Sequence, residues 1–300
     1  MVKAVILAAG MGTRMKSKTP KVLHKVMDKT MVQYSIDAAR AAGVEEICII
    51  VGHGAEEVQK TVGSGVTYVE QKEQLGTGHA VRCAREFIGQ EGQTLILCGD
   101  TPLIRAETLK NMISRHQEQN NGVTMLSTIL ENPDGYGRII RDKNGEFVKN
   151  VEHKDATQQE RASKEVNSGM YLFDSAALYD SLEKITNDNA QGEYYLPDCL
   201  GIIRSEGGHV DAVITPDETE IMGVNSRVQL AEATRIMQQR INHHWMEQGV
   251  TILAPELTFI GSGVTIGRDV TIYPNSFIYG DVVLGEGTVV PPNTVIGLEF

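Results

Sequence analysis

Seven aliphatic residues, each six places after the last, constrain this chain more than any other feature: Ile260, Ile266, Ile272, Ile278, Leu284, Val290 and Ile296. Small or β-branched residues stand two places before each, at Thr258, Val264, Val270, Ser276, Val282, Thr288 and Thr294. Gly261, Gly267, Gly285 and Gly297 directly follow four of the aliphatics, and Pro291 follows Val290. A period of six with glycine-rich corners predicts a hexapeptide β-helix, in which each hexad forms one flat face of a triangular coil. The inward aliphatics stack coil on coil, so no coil buries its core alone. An ordinary strand-rich sandwich is the alternative, and seven unbroken repeats disfavour it. Three hexads make a coil, so fewer than three coils are present. The repeat stops at Phe300 with no polar cap. A solenoid needs its last apolar layer covered, so the pattern predicts a chain cut short, a fragment of a longer gene product.

A long helix precedes the repeats. Ser226-Arg227-Val228-Gln229 has the form of a capping box. Leu230, Met237, Ile241 and Trp245 suggest one apolar stripe, and Gly249 ends the helix. The reading is a linker at 228–248, between a domain at 1–227 and the repeat segment at 249–300.

Within residues 1–125, short apolar runs at 2–7, 47–51, 66–69 and 94–98 alternate with amphipathic stretches at 31–42, 56–62, 79–87 and 106–119. The runs suit strands buried on both faces, and the alternation predicts an α/β fold, a Rossmann-like, mostly parallel sheet. Ligands bind such sheets at the carboxyl ends of the strands. From 122 to 215 the pattern is mixed. Strands are predicted at 123–130, 138–141, 146–151, 166–173 and 209–214, a turn at 142–145, and helices at 175–185 and 195–205. This half is expected to extend the sheet and wall a pocket.

The 300 residues carry 28 Lys plus Arg against 39 Asp plus Glu, a net charge of −11. Non-specific nucleic-acid binding needs a basic face, so no nucleic-acid partner is expected. No apolar run approaches the roughly 20 residues of a membrane-spanning helix, so no membrane partner is expected either. Residues 2–10 imitate a signal peptide only faintly, because the apolar run is short and ends in a glycine loop. Cys48, Cys83, Cys98 and Cys199 lie far apart in apolar stretches, as reduced core residues of a cytoplasmic protein would. The eight histidines show no zinc-ligand spacing with any cysteine.

Leu7-Ala8-Ala9-Gly10-Met11-Gly12-Thr13-Arg14-Met15-Lys16-Ser17-Lys18-Thr19-Pro20-Lys21 directly follows the first strand. Small residues let backbone approach a ligand, and their amides can face phosphate oxygens. Arg14 and Lys21 add cations to an otherwise acidic chain. The third glycine of a dinucleotide loop is Met15 here, and no G-K-[S/T] opens a helix. What remains suits a nucleoside triphosphate losing pyrophosphate, or else a tight turn with solvated cations. Asp100, ending the run Leu95-Ile96-Leu97-Cys98-Gly99-Asp100, could hold a hard cation such as Mg²⁺ or cap the next helix.

The pattern L-A-A-G-x-G-T-R-M-x-S-x-x-P-K resembles, without a departure, the signature of the sugar-1-phosphate nucleotidyltransferases. With the hexapeptide tail, the whole length is similar to the bacterial bifunctional branch, which joins an N-acetylglucosamine-1-phosphate uridylyltransferase to a glucosamine-1-phosphate N-acetyltransferase on a left-handed β-helix. The resemblance implies Mg²⁺ bound by Asp100 and Asn225. It implies nucleotide contacts from Leu7, Ala8, Ala9, Gly10 and Lys21, and from Cys98 and Gly99 beside Asp100. Gln71, Gly76 and Thr77 would read the uracil edge; alone, Gln71 would pass for a surface residue. Gly137, Glu152 and Asn167 would line the sugar pocket.

The reaction so implied joins UTP and N-acetylglucosamine 1-phosphate, giving UDP-N-acetylglucosamine and pyrophosphate for cell-envelope precursors. The sugar phosphate is already anionic, so catalysis needs alignment and charge neutralisation, with Arg14 and Lys21 as the catalytic residues. Acetyl transfer belongs to later coils and is not expected of this chain. A homotrimer packed through the β-helix is expected. The alternatives are a nucleotidyltransferase of other sugar specificity and a non-enzymatic nucleotide-sugar sensor.

Overall fold

A computed structural model of the protein describes residues 1–297. The chain forms two compact units: residues 1–23 with 32–223, and residues 24–31 with 224 onward. Residues 24–31 and 224–227, which the sequence reading assigned to the first domain, fall in the second unit, as does the helix read as a linker.

The first unit is built on one sheet. Its strands run in the order Val210–Ile214, Val123–Ile129, Glu165–Asp174, Gln93–Cys98, Val2–Ala8, Glu46–Val51, Thr67–Glu70. Neighbours are parallel except Glu165–Asp174, which runs antiparallel to both strands beside it. Three of the four apolar runs are buried on both faces, as their lack of alternation predicts; the run at 66–69 is the exception, forming the sheet's last strand with no buried residue. Ala4, Ile6, Ile47, Ile49, Leu95 and Leu97 join one core, while Val5, Cys48, Ile50 and Ile96 join the other. Side chains alternate across a strand, so successive residues of one run serve opposite layers. Burial pushes the thiols of Cys48 and Cys199 up to about 12, and all four cysteines are free.

A hairpin of Arg138–Arg141 and Phe147–Val151 branches from the antiparallel strand. Asp142 closes its turn by accepting from the amides of Asn144 and Glu146 at 2.8 and 2.9 Å. Three helices differ from the sequence reading, and the one expected at 175–185 ends at Ser181. The stretch at 79–87 is broken into Thr77–Cys83 and Arg85–Ile88. The helix expected at 195–205 begins only at Asp198. Pro197 stands at its N-cap, where a residue without an N–H sacrifices no helical bond.

In the second unit the repeats form three parallel ladders, one per face. Ile252, Ile272 and Val290 align on one; Ile260, Ile278 and Ile296 on the next; Ile266 and Leu284 on the third. The aliphatics and the residues two places before them face inward: Ile260, Ile272, Ile278, Thr258, Val270 and Ser276 are fully buried. Asp269, Asn275 and Asn293 adopt positive φ at corners, a conformation Asn and Asp tolerate better than most residues.

The long helix Arg227–Glu247 packs on this solenoid with a face different from the expected stripe. Ile241 and Trp245 do touch the solenoid core, but the buried positions are Ala233, Ile236, Gln238 and Asn242. The two amides lie one turn apart and donate to backbone carbonyls of the 3-10 turn Pro255–Leu257 and of Thr258 beside it. Gln238 donates to the carbonyls of Pro255, Glu256 and Thr258, and Asn242 to those of Pro255 and Thr258 at 2.7 and 2.9 Å. Burying backbone acceptors without partners is costly, so a polar helix face outcompetes the apolar one here. At the N-terminus, Ser226 accepts from the Gln229 amide as expected, but Gln229 Oε1 accepts from Asn225 rather than Ser226 backbone.

Candidate active site

The carboxyl ends of Val2–Ala8, Glu46–Val51, Thr67–Glu70 and Gln93–Cys98 share one edge of the sheet because these strands are parallel. The loop after the first strand tightens into a 3-10 turn at Thr13–Met15, anchored by the fully buried Met15. Gly12 opens that turn at φ +61, and a Cβ there would stand 2.6 Å from Lys21 Cβ. Only glycine lets the loop fold onto Lys21. Ala8 and Ala9 are buried, while Gly10 and Arg14 are exposed. Arg14 makes no ion pair among the described residues.

Lys21 reaches across to Asp100, its Nζ on the carboxylate Oδ2; the two side chains are only 13% and 19% exposed. Thus the second of the two expected cations is held against the expected metal ligand. Gly99 donates its amide to the Leu7 carbonyl at 2.9 Å, fixing the turn that presents Asp100. Asp100 supplies a hard oxygen donor at a strand's end, and no cluster of three or more His, Cys, Asp or Glu stands elsewhere among the described residues. One carboxylate beside a glycine loop fits a hard cation that keeps several waters.

Beside this edge lies a cleft of about 280 Å³. Of the expected residues, Leu7, Thr77, Cys98, Gly137, Glu152 and Asn167 line it together. Asn167 sits where the antiparallel strand bulges, its register on Val123–Ile129 slipping between Asn167 and Tyr171. Its Nδ2 donates to the Tyr171 hydroxyl at 2.6 Å and its Oδ1 accepts from the Gly169 amide at 2.9 Å. Glu152 stands opposite, with its carboxyl raised by burial and partly restored by a hydrogen bond from Asn150. A Cβ at Gly137 would come within 3.1 Å of Glu152 Oε1, so glycine there leaves the carboxylate facing the cleft. Burial likewise pushes the Cys98 thiol up to about 12, which makes it an apolar wall rather than a nucleophile.

Gln71 is not at the surface; it is only 4% exposed, and the loop it begins is hydrogen-bonded to Tyr194 through Leu75 and Gly78. Its Nε2 donates to the Gly76 carbonyl at 3.1 Å and meets His79 Nδ1 at 3.1 Å. Thr77 Oγ1 accepts from the Leu196 amide at 3.1 Å. Asn225 belongs to the other compact unit, at the start of the long helix.

Sequence reasoning missed the wall made by Gln191, Glu193, Tyr195 and Leu196. Lys154 Nζ donates to Gln191 Oε1 at 2.8 Å, and Gln191 Nε2 donates to the Tyr195 hydroxyl at 2.8 Å. Nothing local distinguishes Gln191 and Glu193 from a surface loop, and Tyr195 and Leu196 read as the start of the helix expected at 195–205. Arg138 was also missed: it is fully buried, its guanidinium donating to the Tyr136 carbonyl beside Gly137, and burial lowers its pKa. An arginine following Tyr136-Gly137 was the available signal.

Residues 3–246 match the nucleotidyl transferase family, and residues 258–298 match the bacterial transferase hexapeptide repeat. The chain belongs to the nucleotidyl transferase family. A relative named bifunctional protein GlmU from Caldanaerobacter subterraneus subsp. tengcongensis is 53% identical, over 98% of this chain and 64% of the relative. Another of that name, from Thermoanaerobacter pseudethanolicus, is 51% identical over 96% of this chain and 63% of its own. The chain therefore spans a little under two thirds of these relatives' length. Among solved structures, one titled as a glucose-1-phosphate thymidylyltransferase of Bacillus anthracis superposes with a TM-score of 0.66 at 20% identity, covering 79% of this chain and 95% of that one. At that identity the likeness carries the nucleotidyl transferase fold alone. Among the described residues no helix is long and apolar enough to cross a membrane.

Proposed function

We propose that this chain transfers a uridylyl group from UTP to N-acetylglucosamine 1-phosphate, releasing pyrophosphate. The observation that carries the reading is the convergence of a glycine loop bearing Arg14 and Lys21, the strand-end carboxylate of Asp100, and the Glu152–Asn167 cleft on one edge of the sheet.

The acceptor phosphate is anionic at neutral pH, so no side chain need remove a proton from it. Glu152 and Asn167 would bind sugar hydroxyls and so aim the phosphate, while the Gly137 backbone leaves room for the acetamido group. Alignment of this kind replaces a bimolecular encounter with a positioned one. The Lys21–Asp100 pair holds equal and opposite charge in a half-buried place. On binding, Lys21 would exchange the carboxylate for a phosphate oxygen, with Arg14 stabilising charge on the departing pyrophosphate. Asp100 would hold Mg²⁺. Bound there, the ion would supply charge neutralisation across the phosphates. Leu7, Ala8, Ala9, Gly10, Cys98 and Gly99 would form the nucleotide's bed, with Gln71, Gly76 and Thr77 at the base.

Assembly as a homotrimer is proposed for the hexapeptide unit. Val283, Val289 and Val295 support it, exposed by 75%, 60% and 52%, one on each ladder. Sedimentation tests it; a monomer at micromolar concentration rejects it. A cytoplasmic location is part of the same proposal. The test of function is pyrophosphate release with UTP against a panel of sugar 1-phosphates, with and without Mg²⁺. Preference for N-acetylglucosamine 1-phosphate that vanishes on chelation is expected. Undiminished turnover in chelator would reject the metal assignment, and no turnover with any sugar would reject the activity.

A further inference from the structure

We propose that His79 is a positioning residue that fixes the amide of Gln71 in one orientation, and so makes the base site read a ring N–H donor rather than a ring acceptor. The inference rests on the uridylyl reading above and adds a residue to it.

Gln71 Nε2 has two hydrogens. One goes to the Gly76 carbonyl at 3.1 Å, and that oxygen can only accept. Had the amide been turned over, Oε1 would face the carbonyl, acceptor against acceptor. The backbone therefore fixes which end is nitrogen. The other hydrogen points at His79 Nδ1, 3.1 Å away. Because Nε2 only donates, Nδ1 must accept, so the imidazole is neutral and carries its proton on Nε2. Two acceptors of different origin thus hold both amide hydrogens in a side chain that is 4% exposed. What Gln71 has left to offer a ligand is Oε1, which accepts no hydrogen bond among the described residues.

An amide so pinned discriminates. Uracil presents N3–H to a carbonyl oxygen, whereas cytosine presents a bare N3 and would leave two acceptors opposed. A site built around one hydrogen bond rejects the analogue that lacks its donor because buried groups are then left unpaired. Without His79 only the Gly76 carbonyl opposes rotation, and rotation would put an N–H toward cytosine N3. His79 comes from the helix Thr77–Cys83, which directly follows the glycine turn at Gly76, so the same short segment supplies both acceptors.

The test compares UTP with CTP for the wild type, His79→Leu and His79→Asn. Asparagine carries an acceptor oxygen the same number of bonds from Cα as Nδ1; leucine keeps bulk without an acceptor. For His79→Leu the UTP-over-CTP ratio of kcat/KM should fall roughly tenfold, as for one lost neutral hydrogen bond, through the KM for UTP with kcat held. His79→Asn should keep the ratio within about twofold. An unchanged ratio in His79→Leu, or an equal fall in both variants, would overturn the proposal. So would equal losses for both nucleotides, the mark of a merely structural role. Nitrogen NMR of the ligand-free protein supplies an arm independent of turnover: His79 Nδ1 should appear unprotonated, and a protonated Nδ1 refutes the lock. If the wild type used no UTP at all while Nδ1 proved unprotonated, the uridylyl reading would fail and the lock would stand.

Discussion

The sheet of the first unit and the solenoid of the second are both made of short parallel strands, yet they hold together differently. In the sheet, neighbours come from distant sequence: Tyr171 lies beside Ile96, and Val210 beside Val123. In the solenoid, Ile260, Ile278 and Ile296 stack at a constant separation of 18 residues, each meeting only the coil before and after. A sheet assembled from remote pieces is cooperative across its width. A stack of near-identical coils is close to a one-dimensional sum of neighbour terms. Loops can diverge at the edge of the first without disturbing its core, which is where the candidate site lies. The second repeats its side chains instead of varying them, and its inner positions are spent on the stack.

The largest test of this contrast is Phe173→Ala. The ring is fully buried between strands drawn from three parts of the chain, and its loss should cost about 3–5 kcal/mol. The whole first unit should melt earlier in one transition; protection lost only around residue 173 in hydrogen exchange would contradict a cooperative sheet. Ile278→Ala comes next, at about 2–4 kcal/mol. Its loss of exchange protection should be confined to Thr258–Ile260, Ser276–Ile278 and adjoining coils, leaving the first unit's transition where it was. Exposed Val283→Thr should fall within about 0.5 kcal/mol of wild type.

The remaining tests concern the edge of the sheet. Arg14→Ala should lower kcat by about a hundredfold, as for one lost transition-state charge contact, with less effect on UTP binding. Equal losses in both would make Arg14 a uniform binding residue instead. The smaller effect at this edge is Glu152→Gln. Burial holds the Glu152 carboxyl above its ordinary 4.5. As pH falls, its accepting charge is therefore lost sooner than for an exposed glutamate, and the KM for sugar phosphate should rise. Gln should raise that KM roughly threefold to tenfold at neutral pH and flatten its acid limb. A raised carboxyl binds its proton more tightly when folded, so ionised Glu152 subtracts stability once pH exceeds its folded value. Glu152→Gln should consequently be the more stable protein at pH 7, seen as a higher Tm. A lower Tm would mean that the carboxylate is well paired after all.

Much of this was legible in the residues. The period of six determined the coil, its three faces and the inward stack, because only one backbone geometry returns a side chain to the core every sixth place. Unalternating runs such as Ile47–Ile50 determined strands buried on two sides, since each face of the sheet needs its own apolar set. The glycine loop with Arg14 and Lys21 marked the candidate site's edge for a similar reason: its composition is local. Tertiary structure decided what depends on partners remote in sequence. It paired Lys21 with Asp100, 79 residues away, and buried Gln71 at the head of a loop hydrogen-bonded to Tyr194. It turned Gln191 and Tyr195 into a wall, and it made Gln238 and Asn242 the buried face of a helix whose apolar residues suggested another. A polar side chain is committed to core or surface by whether an acceptor waits for it there, and only the folded chain supplies that acceptor.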